Sequence, residues 1–143
     1  MNISNTSRSQ LNDLKIHVKI KIALLWVSVT LCYLYGDYFE LYVSQKVAGL
    51  ISGQHLLDSP MKLFAASVLL AIPAIMVFLS VVLKPRINRW LNIIFGICFT
   101  VIMLLIAINS LTAWRTFYVF LALVESTLTA LITWYAYTWP TKN

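Results

Sequence analysis

Four long apolar runs, at about residues 20–42, 61–83, 90–108 and 117–139, leave this chain very little freedom in what it can become. Roughly 20 apolar residues, rising ~1.5 Å each as a helix, cross the ~30 Å hydrocarbon layer of a bilayer. Within that layer every backbone N–H and C=O has to find its partner inside the fold, and an open strand edge cannot enter. The runs therefore predict an all-α protein, an antiparallel bundle of four transmembrane helices. One membrane domain is expected over residues 1–143, its first 13 residues a flexible polar lead.

Composition agrees. Only 11% of the 143 residues are charged and 60% are hydrophobic, with a mean hydropathy of +0.81. Soluble domains carry about 25% charged residues. The net charge of +6 does not point to nucleic acid, because the basic residues flank the apolar runs: Arg8, Lys15, Lys19 and Lys21, then Lys84, Arg86 and Arg89, then Lys142. Such residues fix topology and touch anionic head groups. With the amino terminus in the cytoplasm they all fall on the cytoplasmic side, leaving Lys46, Lys62 and Arg115 outside. The expected orientation is both termini in the cytoplasm, in a cell inner (plasma) membrane crossed several times. The lead is polar and long, and no small-residue cleavage site follows the first run, so that run is expected to be an uncleaved anchor.

The connections carry their own signals. Leu14 to Ile22 alternates apolar and basic residues and is expected at the interface, its lysines snorkelling to head groups. Ser59-Pro60 reads as an N-cap followed by proline at the first helical position. Lys84-Pro85-Arg86 makes runs two and three a tight hairpin, and Pro73 sits inside run two, where it should kink the helix or free a carbonyl. The first loop, 43–59, is semi-apolar and suggests a short interfacial or re-entrant helix. Trp90, Trp114 and Trp139 fit interface belts.

Chemistry concentrates in two helical stripes. In the first run, Trp26, Thr30, Tyr33, Asp37, Glu40 and Ser44 fall on one face. In the fourth, Tyr118, Ala122, Glu125, Thr129 and Thr133 do so. Lipid takes the apolar faces, so both stripes should turn inward and meet. A carboxylate at membrane depth costs several kcal/mol unless paired, solvated or protonated, and is a functional-site hypothesis by default. Glu125 is that residue. Asp37 and Glu40 lie nearer the outer surface, and Asn109, Thr112 and Trp114 could border the same pocket. The candidate ligand site is thus Trp26, Tyr33, Asp37, Glu40, Glu125 and Thr129. Interhelical hydrogen bonding is the competing role for the hydroxyls. Asn88, Asn92, Arg86 and Arg89 read as an anchor for the tight turn.

Cys32 and Cys98 stand alone inside apolar runs, and His17 and His55 lie in flanks, so no metal constellation is expected. No cofactor loop is expected either, as the four glycines are scattered singly.

The strings ALLWVSVTLCYLYGDYFELY, IPAIMVFLSVVLKPRINRWLNII and FLALVESTLTALITWYAYTW resemble a family of uncharacterised four-helix bacterial integral membrane proteins, a domain-of-unknown-function family. Its pattern of a tryptophan and Tyr-x-Tyr-x-Asp in helix one corresponds to Trp26, Tyr33, Tyr35 and Asp37. An R-x-N-R-W-like turn corresponds to Arg86, Asn88, Arg89 and Trp90, and the early glutamate of helix four to Glu125. The resemblance, covering the chain from about residue 20, implies fold, membrane location and prokaryotic origin, and brings no activity.

Three functions are consistent with these features. The first is binding or transport of a proton, a cation or a small cationic or amphipathic ligand at an outward-facing acidic site. The second is a structural or accessory subunit of a larger membrane complex, or a homo-oligomer, with the stripe facing a partner helix. The third is a membrane-embedded enzyme using two carboxylates as acid and base on a lipid-like substrate; a role other than catalysis is favoured. The bilayer is a partner in every case.

Overall fold

The computed structural model describes residues 14–140, so the polar lead over 1–13 and Lys142 lie outside the described residues. The elements are α1 (Val18–Glu40), α2 (Lys46–Ile51), α3 (Pro60–Val82), α4 (Pro85–Asn109), a 3-10 turn (Ala113–Arg115) and α5 (Thr116–Tyr137). Four of them, α1, α3, α4 and α5 with its preceding turn, are long and apolar enough to cross a membrane. The bundle is all-α across the described residues.

Local chemistry explains the ends. His17 caps α1 by accepting from the Lys19 N–H at 3.2 Å, and Ser59 caps α3 by accepting from the Lys62 N–H at 3.3 Å, ahead of Pro60. Both are acceptors for N–H groups that a helix start leaves without partners. Pro85 occupies the first turn of α4, so this helix begins five residues before the apolar run. Arg86, Asn88 and Arg89, which looked like turn residues, are therefore helical. α3 runs unbroken through Pro73. Proline donates no N–H, so the Leu69 carbonyl loses its helical partner there. The first loop forms only the six-residue α2, which buries none of its side chains. At ~1.5 Å per residue it spans about 9 Å, too short for a re-entrant segment.

Both ends of the described chain and the α3–α4 turn share one end of the bundle, here called the termini end. Lysine and arginine bind helix carbonyls there. Lys19 Nζ donates to the Val81 and Leu83 carbonyls at 3.0 and 2.7 Å, and Arg89 Nη2 to the Tyr137 carbonyl at 3.0 Å. Cations at helix C-termini satisfy free carbonyls and oppose the helix dipole. Lys21 lies over the Tyr135 ring, 5.5 Å from its centroid.

The helices form a ring in which α1 packs on α3 and α5, and α5 packs on α4. The last side is nearly open. Although only Leu83 and Lys84 join α3 to α4, the backbones of these two helices approach closely at few positions. The tight hairpin expected from the sequence is a close link between weakly packed partners. The dry core sits in the termini half, around Ile22, Trp26, Val29, Met76, Phe99, Ile132 and Ala136. Gly96 sets the spacing of α4 against α5: a Cβ there would collide with Thr133 Oγ1 and lie 3.2 Å from the Thr129 carbonyl oxygen. Small residues let helix backbones come this close in a bilayer, where packing replaces the hydrophobic drive.

Candidate functional site

The loop half of the bundle is less tightly filled. A cavity of about 110 Å³ lies between the four helices. α1 contributes Tyr33, Gly36 and Asp37, and α5 contributes Tyr118, Leu121, Ala122 and Glu125. The facing walls are apolar, with Leu69 and Leu70 from α3 and Phe99, Ile102, Met103 and Ile106 from α4. Phe99 forms the floor. Its ring lies edge-on to Trp26 at 6.0 Å and tilted on Tyr33 at 6.3 Å, separating the cavity from the dry core.

Glu125 is only 4% exposed, yet it borders this cavity. It lies nine residues along α5, about 14 Å of helix rise from its start. Its backbone carbonyl accepts from Thr129 Oγ1 at 2.9 Å; among the described residues no donor reaches its carboxylate. Asp37 borders the same cavity from α1. The Tyr33 hydroxyl is buried without a partner among the described residues. A carboxylate in hydrocarbon is costly unless neutralised, and buried polar atoms are normally bonded. At this cavity the Tyr33 hydroxyl and the Glu125 carboxylate are both without a hydrogen-bond partner among the described residues.

The cations of the loop end are engaged elsewhere. Lys46 Nζ and Arg115 Nη2 both donate to Glu40 Oε1, at 3.0 and 2.9 Å, and Lys62 pairs with Asp58 at 2.6 Å. Among the described residues no ion pair includes Asp37 or Glu125.

Of the six residues the stripes nominate, Tyr33, Asp37 and Glu125 border the cavity and the other three do not. Trp26, fully buried, donates from Nε1 to Asn92 Oδ1 at 2.7 Å. Thr129 shares a 2.7 Å hydrogen bond with Thr100 across the α4–α5 contact. Glu40 is held in its ion cluster, one turn beyond Asp37. Asn109 donates to the Leu105 carbonyl, while Trp114 borders a separate groove with Phe39, Tyr42, Val43 and Phe117.

Asn88 and Asn92, expected to anchor the turn, extend further inward than that. Asn92 Nδ2 donates to both the backbone and side-chain oxygens of Asn88, at 2.9 and 2.6 Å. Ser80 Oγ donates to Asn92 Oδ1, and Asn88 Nδ2 donates to the Ser80 carbonyl. With Trp26 this network ties α1, α3 and α4 together. It is fully satisfied and offers nothing to a ligand. The walls from α3 and α4 were not foreseen: apolar residues on apolar helices carry no local mark of lining a cavity.

Residues 11–143 match the model of a family of unknown function (DUF6326), and the chain belongs to that family. No curated protein and no solved structure matches it.

Proposed function

We propose that this four-helix member of the family binds a small cation, a protonated amine or a proton in the cavity between Asp37 and Glu125, as a step in its transport. One observation carries the reading. Two carboxylates border a single cavity of mainly apolar lining, without an ion-pair partner among the described residues. A positive ligand would offset the cost of burying Glu125 and meet a second, more exposed carboxylate at Asp37. Tyr33 and Tyr118 would add phenol oxygens and ring faces, both attractive to cations. The orientation follows from charge: with the termini end cytoplasmic, eight basic residues lie inside and Lys46, Lys62 and Arg115 outside, in a plasma membrane. The cavity is then in the outer half.

The test is equilibrium binding of methylammonium to protein in lipid nanodiscs. Wild type should bind it saturably, and Glu125→Gln should lose most of that affinity. Unchanged affinity in Glu125→Gln would remove the site from consideration.

A second reading draws on the same pair of carboxylates. Two acids at one apolar cavity suit proton transfer on a lipid-like substrate, one giving and one taking the proton. Its check is a product mass formed from membrane lipid extract by wild type and absent with Glu125→Gln. The accessory-subunit reading has less support, because Glu125 is buried at a cavity within this chain rather than on an outer face.

A further inference from the structure

We infer that the ligand is a single-tailed alkylammonium that enters sideways from the bilayer, between α3 and α4. This rests on the reading of the cavity as a cation site, and deepens it by naming the ligand class and the route. Three observations support it.

The lining is divided by chemistry. Acids and phenols come from α1 and α5, whereas α3 and α4 supply only Leu69, Leu70, Phe99, Ile102, Met103 and Ile106. A hydrated inorganic ion would find half its shell replaced by hydrocarbon. An amine with an alkyl tail matches both halves, its head at the carboxylates and its chain along the apolar walls.

The cavity is also too small to hold such a tail. Its volume of about 110 Å³ is below the ~150 Å³ of a protein cavity that accepts benzene. An ammonium group with a few methylenes fits; the remainder of an eight-carbon chain has to lie outside.

Finally, the ring of helices is open where that tail would leave. α1–α3, α1–α5 and α4–α5 are packed pairs, while α3 and α4 approach closely at few positions, their Ser80 hydrogen bonds to Asn88 and Asn92 lying toward the termini end, away from the cavity. Leu69 and Leu70 border the cavity and are still 41% and 42% exposed, facing the surrounding hydrocarbon. At the loop end, by contrast, Glu40 binds Arg115 and Lys46 and ties the end of α1 to the starts of α2 and α5. The seam between α3 and α4 is the natural path for a tail already dissolved in lipid.

The experiment compares methylammonium with n-octylammonium on the full chain in nanodiscs, with empty nanodiscs as the blank. In wild type, octylammonium should bind at least tenfold more tightly. The double variant Leu70→Trp, Ile106→Trp fills the seam and should lose at least tenfold more affinity for octylammonium than for methylammonium. Misfolding would weaken both amines alike, so a loss confined mainly to octylammonium within the one tryptophan variant reports blockage of the tail. Equal affinity of wild type for the two amines, or undiminished octylammonium binding in the tryptophan variant, would overturn the inference and leave the cation site standing. Absence of binding by both amines would overturn the inference together with the reading beneath it.

Discussion

Arg115 Nη2 lies 2.9 Å from Glu40 Oε1, a contact between residues 75 positions apart that joins the end of α1 to the start of α5. The same oxygen accepts from Lys46, and Glu40 Oε2 is buried without a partner among the described residues. Charge-assisted hydrogen bonds contribute ~1.5–3 kcal/mol when shielded, but exposed pairs much less. With the Arg115 side chain 39% exposed, Arg115→Ala should cost about 1 kcal/mol. Glu40→Gln should cost somewhat more, since it strands two cations. A double-mutant cycle read by unfolding in detergent should give a coupling of ~0.5–1 kcal/mol.

The Asn92 side chain accepts from Trp26 and Ser80 and donates to Asn88, all in a fully buried setting. Asn92→Ala removes partners from three groups that have no water to turn to. Each stranded group costs ~1–3 kcal/mol, so the variant should be destabilised by at least ~3 kcal/mol. Thr100→Ala, which gives up a hydroxyl bonded to Thr129 Oγ1 and to the Gly96 carbonyl of its own helix, should cost only ~1 kcal/mol. Parallel unfolding curves of the two variants check the difference.

At Gly96 the added methyl of alanine meets Thr133 Oγ1 and the Thr129 backbone. Overpacking of this kind costs ~1–3 kcal/mol. Thr133→Ala removes the hydroxyl in the way but leaves the backbone contact. The double variant should therefore recover part of the loss, and the shortfall from additivity in thermal unfolding measures how much of the collision lies with Thr133.

Glu125→Gln separates function from stability. The carboxylate has no partner among the described residues and stands at a cavity of mainly apolar lining, so neutralising it removes a cost and no bond. Stability in detergent should equal or exceed wild type, by up to about 1 kcal/mol, while amine binding is lost. A site kept for its chemistry at the expense of stability behaves this way. A large destabilisation would instead mark Glu125 as a structural residue.

The spans were legible because a bilayer reads composition over some twenty residues at a time, which the chain shows openly. Ser59 and Pro60 marked a helix start by local chemistry, and the structure places it there. The start of α4 was misjudged for a related reason. Arg86, Asn88 and Arg89 are polar, and polarity beside an apolar run suggests a turn, yet Asn88 and Asn92 are one helical turn apart and face the core. Stripes gave faces but not depth. Trp26, Tyr33, Asp37 and Glu40 follow one another along α1, and each finds a different environment, because the groups that meet them sit on other helices: Asn92, Phe99, the cavity, Arg115. Those pairings are long-range and leave no local trace.

Leu83 and Lys84 are the whole connection between α3 and α4, and both are extended, with ψ of 152° and 143°. Tied by this link and by the Ser80 hydrogen bonds to Asn88 and Asn92 beside it, and closely approaching at few other positions, the two helices resemble a pair of tongs. α3 has 23 residues, an arm of about 35 Å at ~1.5 Å per residue. Rotation by roughly five degrees at the tie moves its far tip by about 3 Å, close to the width of a methylene chain. Torsion changes at those two linking residues, with α3 shifting against α1, would vary the width between the tips while every hydrogen bond inside both rods stays whole.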